Sequence, residues 1–159
     1  MIKNNLKALL IHAVISISSI FVFMLGFASQ ASWVSEEAAR NHHNRMMSLS
    51  ITMIVIAAIL YYLLGRKHLI SQGSKCKDLF SVSLVAILGA CLWANAFNVD
   101  RFGPSNVLMN SGLWQFYSMY NGYSVFFLDE SGSNNPYVFL FFSFIPTIAM
   151  WTGVLRKST

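Results

Sequence analysis

Charge is what this chain has least of. Asp, Glu, Lys and Arg make up 11% of its 159 residues, against roughly 25% in an ordinary soluble domain. That leaves too little polar surface to solvate a globule of this size. The excess of base over acid, a net +5, raises the question of nucleic acid. The basic residues sit in short clusters beside apolar runs and not along one amphipathic face, which is a membrane pattern and excludes a nucleic-acid partner. The chain has two cysteines, Cys76 and Cys91. In a helix, fifteen residues separate them by roughly 22 Å, far beyond disulfide reach. There is no disulfide framework, no CxxC pair and no Asn-x-Ser/Thr acceptor. HExxH is absent, as is any His pair at i, i+4, so the sequence calls for no metal and no cofactor.

What it does have is apolar length. Hydrophobic residues make up 55% of the chain and mean hydropathy is +0.54. Four apolar runs, 9–28, 47–64, 79–99 and 137–155, are each close to the about 20 residues that cross a ~30 Å hydrocarbon core as a helix. The expectation is an all-α integral membrane protein, one domain built as a four-transmembrane-helix bundle. It has outer loops at 30–46 and 100–136 and an inner loop at 65–78. Eight basic residues (Lys3, Lys7, Arg66, Lys67, Lys75, Lys77, Arg156, Lys157) fall on the side of the termini and second connection, and three (Arg40, Arg45, Arg101) on the other. Five of the six acids lie opposite the basic side. The positive-inside rule then places both termini in the cytoplasm. Composition and short loops suggest a bacterial plasma membrane. No internal repeat of the kind that builds transporter cores is visible.

The first run follows a leader with Lys3 and Lys7. Ser29-Gln30-Ala31 offers small residues for signal-peptide cleavage, but the run exceeds the roughly 7–15 residues of a signal core, and a retained helix is the reading. His12, in its first turns, reads as a helix-end histidine bonded locally near the headgroups. Ser35, followed by Glu36 and Glu37, reads as an N-cap with acids in the first turn. The second helix therefore starts well before its apolar part. Phe80–Val99 reads as the helix the others pack around, with Ala86, Gly89, Ala90 and Ala94 forming a smooth strip for close helix approach. Pro146 interrupts the fourth run and is expected to kink it.

The long third connection holds a patterned stretch. Leu113, Phe116, Tyr117, Tyr120, Tyr123 and Phe127 recur at steps of three and four, with Gln115, Ser118 and Gly122 opposite. That is an amphipathic, aromatic helix. It is expected to lie flat in the interface or cap the outer end of the bundle, while Gly122 and aromatics on both sides leave a re-entrant course open. The outer end also gathers His42, His43, Asn95, Asn98, Asp100 and Arg101 as a candidate polar site. Adjacent histidines point about 100° apart on a helix and do not share one ion in the usual way.

Arg40-Asn41-His42-His43-Asn44 resembles the R-x-H-x-N string of the four-span membrane-associated eicosanoid and glutathione enzymes. The likeness covers five residues, and Met47 stands where that family has a glutamate. Gly112-Leu113-Trp114 resembles the claudin G-L-W string, in a different loop and without its cysteines. Neither assigns a family. The functional expectation is an accessory, immunity or assembly partner in the lipid bilayer, working with another membrane protein or with itself. Two alternatives stand beside it. One is an outer-leaflet lipid-handling enzyme or carrier that uses the aromatic loop and nearby His, Asp and Arg. The other is a subunit of a larger transporter.

Overall fold

In a computed structural model, residues 1–28, 35–99, 112–124, 126–127 and 135–157 are described, and every regular element among them is a helix. The elements are α1 (Ile2–Ala28), α2 (Glu36–His68), α3 (Lys75–Phe80), α4 (Leu84–Val99), α5 (Gly112–Tyr120), α6 (Pro136–Phe142) and α7 (Ile145–Leu155). Three stretches are long and apolar enough to cross a membrane: Ile2–Leu25, Glu36–His68 and Pro136–Leu155. Asp100 and Arg101, the Ser29–Ala31 cleavage candidate, and Asp129 and Glu130 lie outside the described residues.

The start of α2 follows from its sequence. Ser35 Oγ accepts from the Ala38 N–H at 3.2 Å, and Glu36 and Glu37 occupy the first turn. At 33 residues the helix is about 50 Å long, so it outruns any bilayer core.

The third run departs from expectation. Instead of one helix through Phe80–Val99, a turn at Ser81–Ser83 separates α3 from the 16-residue α4. No proline or glycine causes the break. Two amides from the first turn of α1 do. Asn5 Oδ1 accepts from the Leu84 N–H at 3.0 Å and its Nδ2 donates to the Phe80 carbonyl at 3.1 Å. Asn4 Nδ2 donates to the Ile70 carbonyl at 2.7 Å and to Ser81 Oγ at 3.1 Å. Thr147 adds a third stitch: it accepts from the Ala86 N–H at 3.2 Å and donates to the Val82 carbonyl at 3.3 Å. Groups that a continuous helix would pair internally are thus paired by side chains from α1 and α7.

Packing also departs from expectation. The most extensive helix pair is α2 with α7, while α4 lies against α1, α5, α6 and α7. The close approach of α2 to α7 comes from two glycines. A Cβ at Gly65 would sit 2.8 Å from Met150 Cα, and one at Gly153 would strike the Tyr62 carbonyl. Of the expected small-residue strip, Ala86 and Gly89 are buried and Ala90 and Ala94 half-buried. A Cβ at Gly89 would lie 2.8 Å from Ser143 Cβ and 3.2 Å from the Tyr120 ring. Trp93 Nε1 donates to the Pro136 carbonyl at 2.6 Å at one end of the bundle, and Trp151 Nε1 to the Lys75 carbonyl at 3.1 Å at the other.

Gly153→Val should separate α2 from α7 and cost about 1–3 kcal/mol, as overpacking of a filled interface does. Gly112→Ala, where a Cβ meets open space, should be close to neutral. Thermal unfolding in mild detergent measures both.

Candidate functional site

Pro146 sets up the interior. It has no N–H to give the Phe142 carbonyl one turn earlier, and its ring crowds that oxygen. The fourth run accordingly breaks at Ser143–Phe144, between α6 and α7, and the Ser143 N–H turns to Leu140 instead of Phe139. Two carbonyls, Phe139 and Phe142, are left without helical partners. Tyr117 donates its hydroxyl to Phe139, and Tyr123 donates to Phe142. Tyr117 Oη also lies 3.1 Å from Ser143 Oγ.

Both tyrosines belong to the aromatic stretch expected at the bundle's end, and they are buried in the core. Tyr117 is 1% exposed and Tyr123 0%. The helix stops at Tyr120, and a turn over 121–124 follows where the pattern called for helix through Phe127. Residues expected on the polar face, Ser118 and Gly122, are buried as well, whereas Phe116 is exposed, Leu113 exposed at its edge, and Tyr120 and Phe127 half-buried. A cap lying flat would keep Ser118 and Gly122 out in water. Here a Cβ at Gly122 would fall 2.5 Å from the Ser16 carbonyl, midway along α1. The segment therefore enters the bundle. Tyr120 anchors it on both sides: its hydroxyl donates to the Val85 carbonyl at 2.7 Å, and its own carbonyl accepts from Ser16 Oγ at 2.7 Å.

The tip of this inserted segment meets His12. The ring is 1% exposed and is not bonded locally, contrary to expectation. Its Nδ1 lies 2.9 Å from the hydroxyl of Tyr61 on α2. Ring centroids of Tyr61, Tyr120 and Tyr123 lie 5.8, 4.3 and 6.5 Å from that of His12. The Tyr120 carbonyl interacts with the imidazole but already accepts from Ser16, and Nε2 has no partner in good geometry among the described residues. The Nδ1···Oη contact runs in either direction: the imidazole tautomer decides whether Nδ1 donates to the hydroxyl or accepts from it. Beside it a cleft of about 340 Å³, bordered by Leu9, Ile17, Leu92 and Phe116, opens on the side of the bundle. Intramembrane ionisable groups are uncommon enough to mark a site by default. That rule, applied to His12 at sequence level, would have singled it out.

The described members of the expected outer polar group are spread over α2 and α4, with Asp100 and Arg101 outside the described residues. His42 is half-buried and His43 exposed on α2, and Asn95 and Asn98 are exposed on α4. The principal packing partners of α2 are α7 and α1, not α4. Among the described residues no three His, Cys, Asp or Glu side chains come together as a metal set. No protein-family model, curated protein or solved structure matches this chain.

Tyr123→Phe should cost about 1–2 kcal/mol, because it strips the Phe142 carbonyl of its donor in a buried site. In a Pro146→Ala background, where residue 146 regains an N–H for that carbonyl, the same change should cost much less. A double-mutant cycle on unfolding in detergent reads the difference directly.

Proposed function

We propose that this chain is a four-span plasma-membrane protein with both termini in the cytoplasm, and that it works by association, as an accessory, assembly or immunity partner, and not by catalysis. In this reading α3 and α4 together form the third span, and the inserted segment 112–124 is re-entrant. Its tyrosine hydroxyls are spent on neighbouring backbone carbonyls, a use that ties helices together.

The observation that carries association is the outward face of α4. Ile87, Cys91, Asn95 and Asn98, at steps of four, four and three, are all exposed. Asn95 Nδ2 folds back onto the Cys91 carbonyl at 2.8 Å. Asn95 and Asn98 lie in the last turns of α4, toward the outer end of the span. Amides exposed on one face with apolar Ile87 are met by an amide or hydroxyl on a partner helix. A second copy or another membrane protein supplies that partner.

A second reading has its own support. The cleft beside His12 opens where lipid would lie, and this favours a lipid-handling protein. In that reading the imidazole, with the aromatic segment over it, takes the place of the outer His42, His43, Asp100 and Arg101 group.

The association reading predicts that native electrophoresis of the chain, extracted from its own membranes in mild detergent, shows a complex larger than one copy. Asn95→Leu with Asn98→Leu should reduce it to the monomer. A monomeric wild type would remove the proposal.

A further inference from the structure

On another face of the N-terminal half of α1 a groove of about 360 Å³ runs between α1 and α2, lined by Lys7, Leu10, Ile11, Val14, Leu64 and His68. It is polar at one end only. The Lys7 and His68 side chains are exposed at its mouth, and Leu10 and Val14, 66% and 55% exposed, form its apolar wall. Lys7 Nζ donates to the His68 carbonyl at 3.3 Å, which leaves its other N–H groups for an outside acceptor. Lys3, Arg66 and Lys67 are exposed on the same end of the bundle.

The local charge is not balanced from within. The one carboxylate on this end among the described residues, Asp78, is 2% exposed and is turned to Ser71 Oγ at 3.0 Å and the Gln72 N–H. The mouth is also held in place. Asn4 bonds both the N–H and the carbonyl of Ile70, at 3.3 and 2.7 Å, so the chain following His68 is fixed to the start of α1. A fixed cationic mouth thus stands at the head of an apolar groove that continues for about 10 Å, the two turns from Lys7 to Val14.

We propose that this groove binds an anionic phospholipid of the leaflet that faces Lys7. The phosphodiester sits at Lys7 and His68, and one acyl chain lies along Leu10, Ile11, Val14 and Leu64. Phosphatidylcholine presents the same phosphate but brings a quaternary ammonium against Lys3 and Lys7, which disfavours it. Basic mouths between membrane helices select headgroups in this way. The proposal rests on membrane residence and is independent of association through α4.

Native mass spectrometry of the full chain in mild detergent, titrated with phosphatidylglycerol or phosphatidylcholine of identical acyl chains, tests it. One phosphatidylglycerol should be retained at least about fivefold more strongly than phosphatidylcholine, the scale of one cationic contact. Lys7→Gln with His68→Gln should bring the two lipids level, and Arg40→Gln on the opposite side should change nothing. Val14→Trp, which fills the groove and keeps the charges, should also expel the lipid. Equal retention of both lipids by wild type, binding indifferent to Lys7→Gln with His68→Gln and to Val14→Trp, or displacement by inorganic phosphate would each overturn it. Carbonate extraction of the membrane fraction tells a failure of membrane residence from a failure of the lipid site.

Discussion

A proline in an apolar helix releases a carbonyl, and in a medium without water that oxygen has to be answered by protein. Pro146 imposes this demand, and the interior is arranged around its answer. Phe139 and Phe142 face the break between α6 and α7, and the hydroxyls of Tyr117 and Tyr123 reach them. To bring both tyrosines there, the segment from Gly112 to Ser124 has to leave the end of the bundle and enter it. Glycines at its boundaries make the room: Gly122 against Ser16 and Ile20, and Gly89 against Tyr120 and Ser143. His12 and Tyr61 close around the tip.

The same logic governs the third run. The break between α3 and α4 leaves amide groups that Asn4, Asn5 and Thr147 satisfy from other helices. Each interruption in a helix is paired with polar side chains distant in sequence, so the breaks hold the bundle together. The α2–α7 pair supplies the unbroken counterpart, two backbones brought into contact at Gly65 and Gly153. The Asn4 and Asn5 lock also fixes the mouth of the α1–α2 groove, so the device that ends α3 shapes the proposed lipid site.

Sequence reasoning reached the features that are local. Ser35 with Glu36 and Glu37 announced the start of α2, and hydropathy placed its long apolar part and those of α1 and the fourth run. Pro146 announced its own break. The turn at Ser81–Ser83 was illegible because nothing in those residues forces it; its cause is a pair of amides more than 70 residues earlier. The aromatic stretch was misplaced because periodicity separates apolar from polar faces but does not say whether an apolar face meets lipid or protein. The pairing of tyrosine hydroxyls with a proline-broken run was present in the sequence and is the signal that places them. The small-residue strip on α4 drew attention from Gly65, which fell in the expected inner loop, and from Gly153, inside the fourth run.

The central claim is that the face of 112–124 carrying Tyr117, Ser118, Asn121, Tyr123 and Ser124 packs inside the bundle and not on its surface. Cysteine accessibility tests this most directly, on a background of Cys76→Ser and Cys91→Ser. Single cysteines at Ser118, Asn121 and Ser124, treated with a membrane-impermeant maleimide in intact cells, should stay unlabelled until the bundle is unfolded, while one at Gly112 should react. Labelling of Ser118, Asn121 and Ser124 positions as readily as Gly112 would place the segment on the surface and contradict the account.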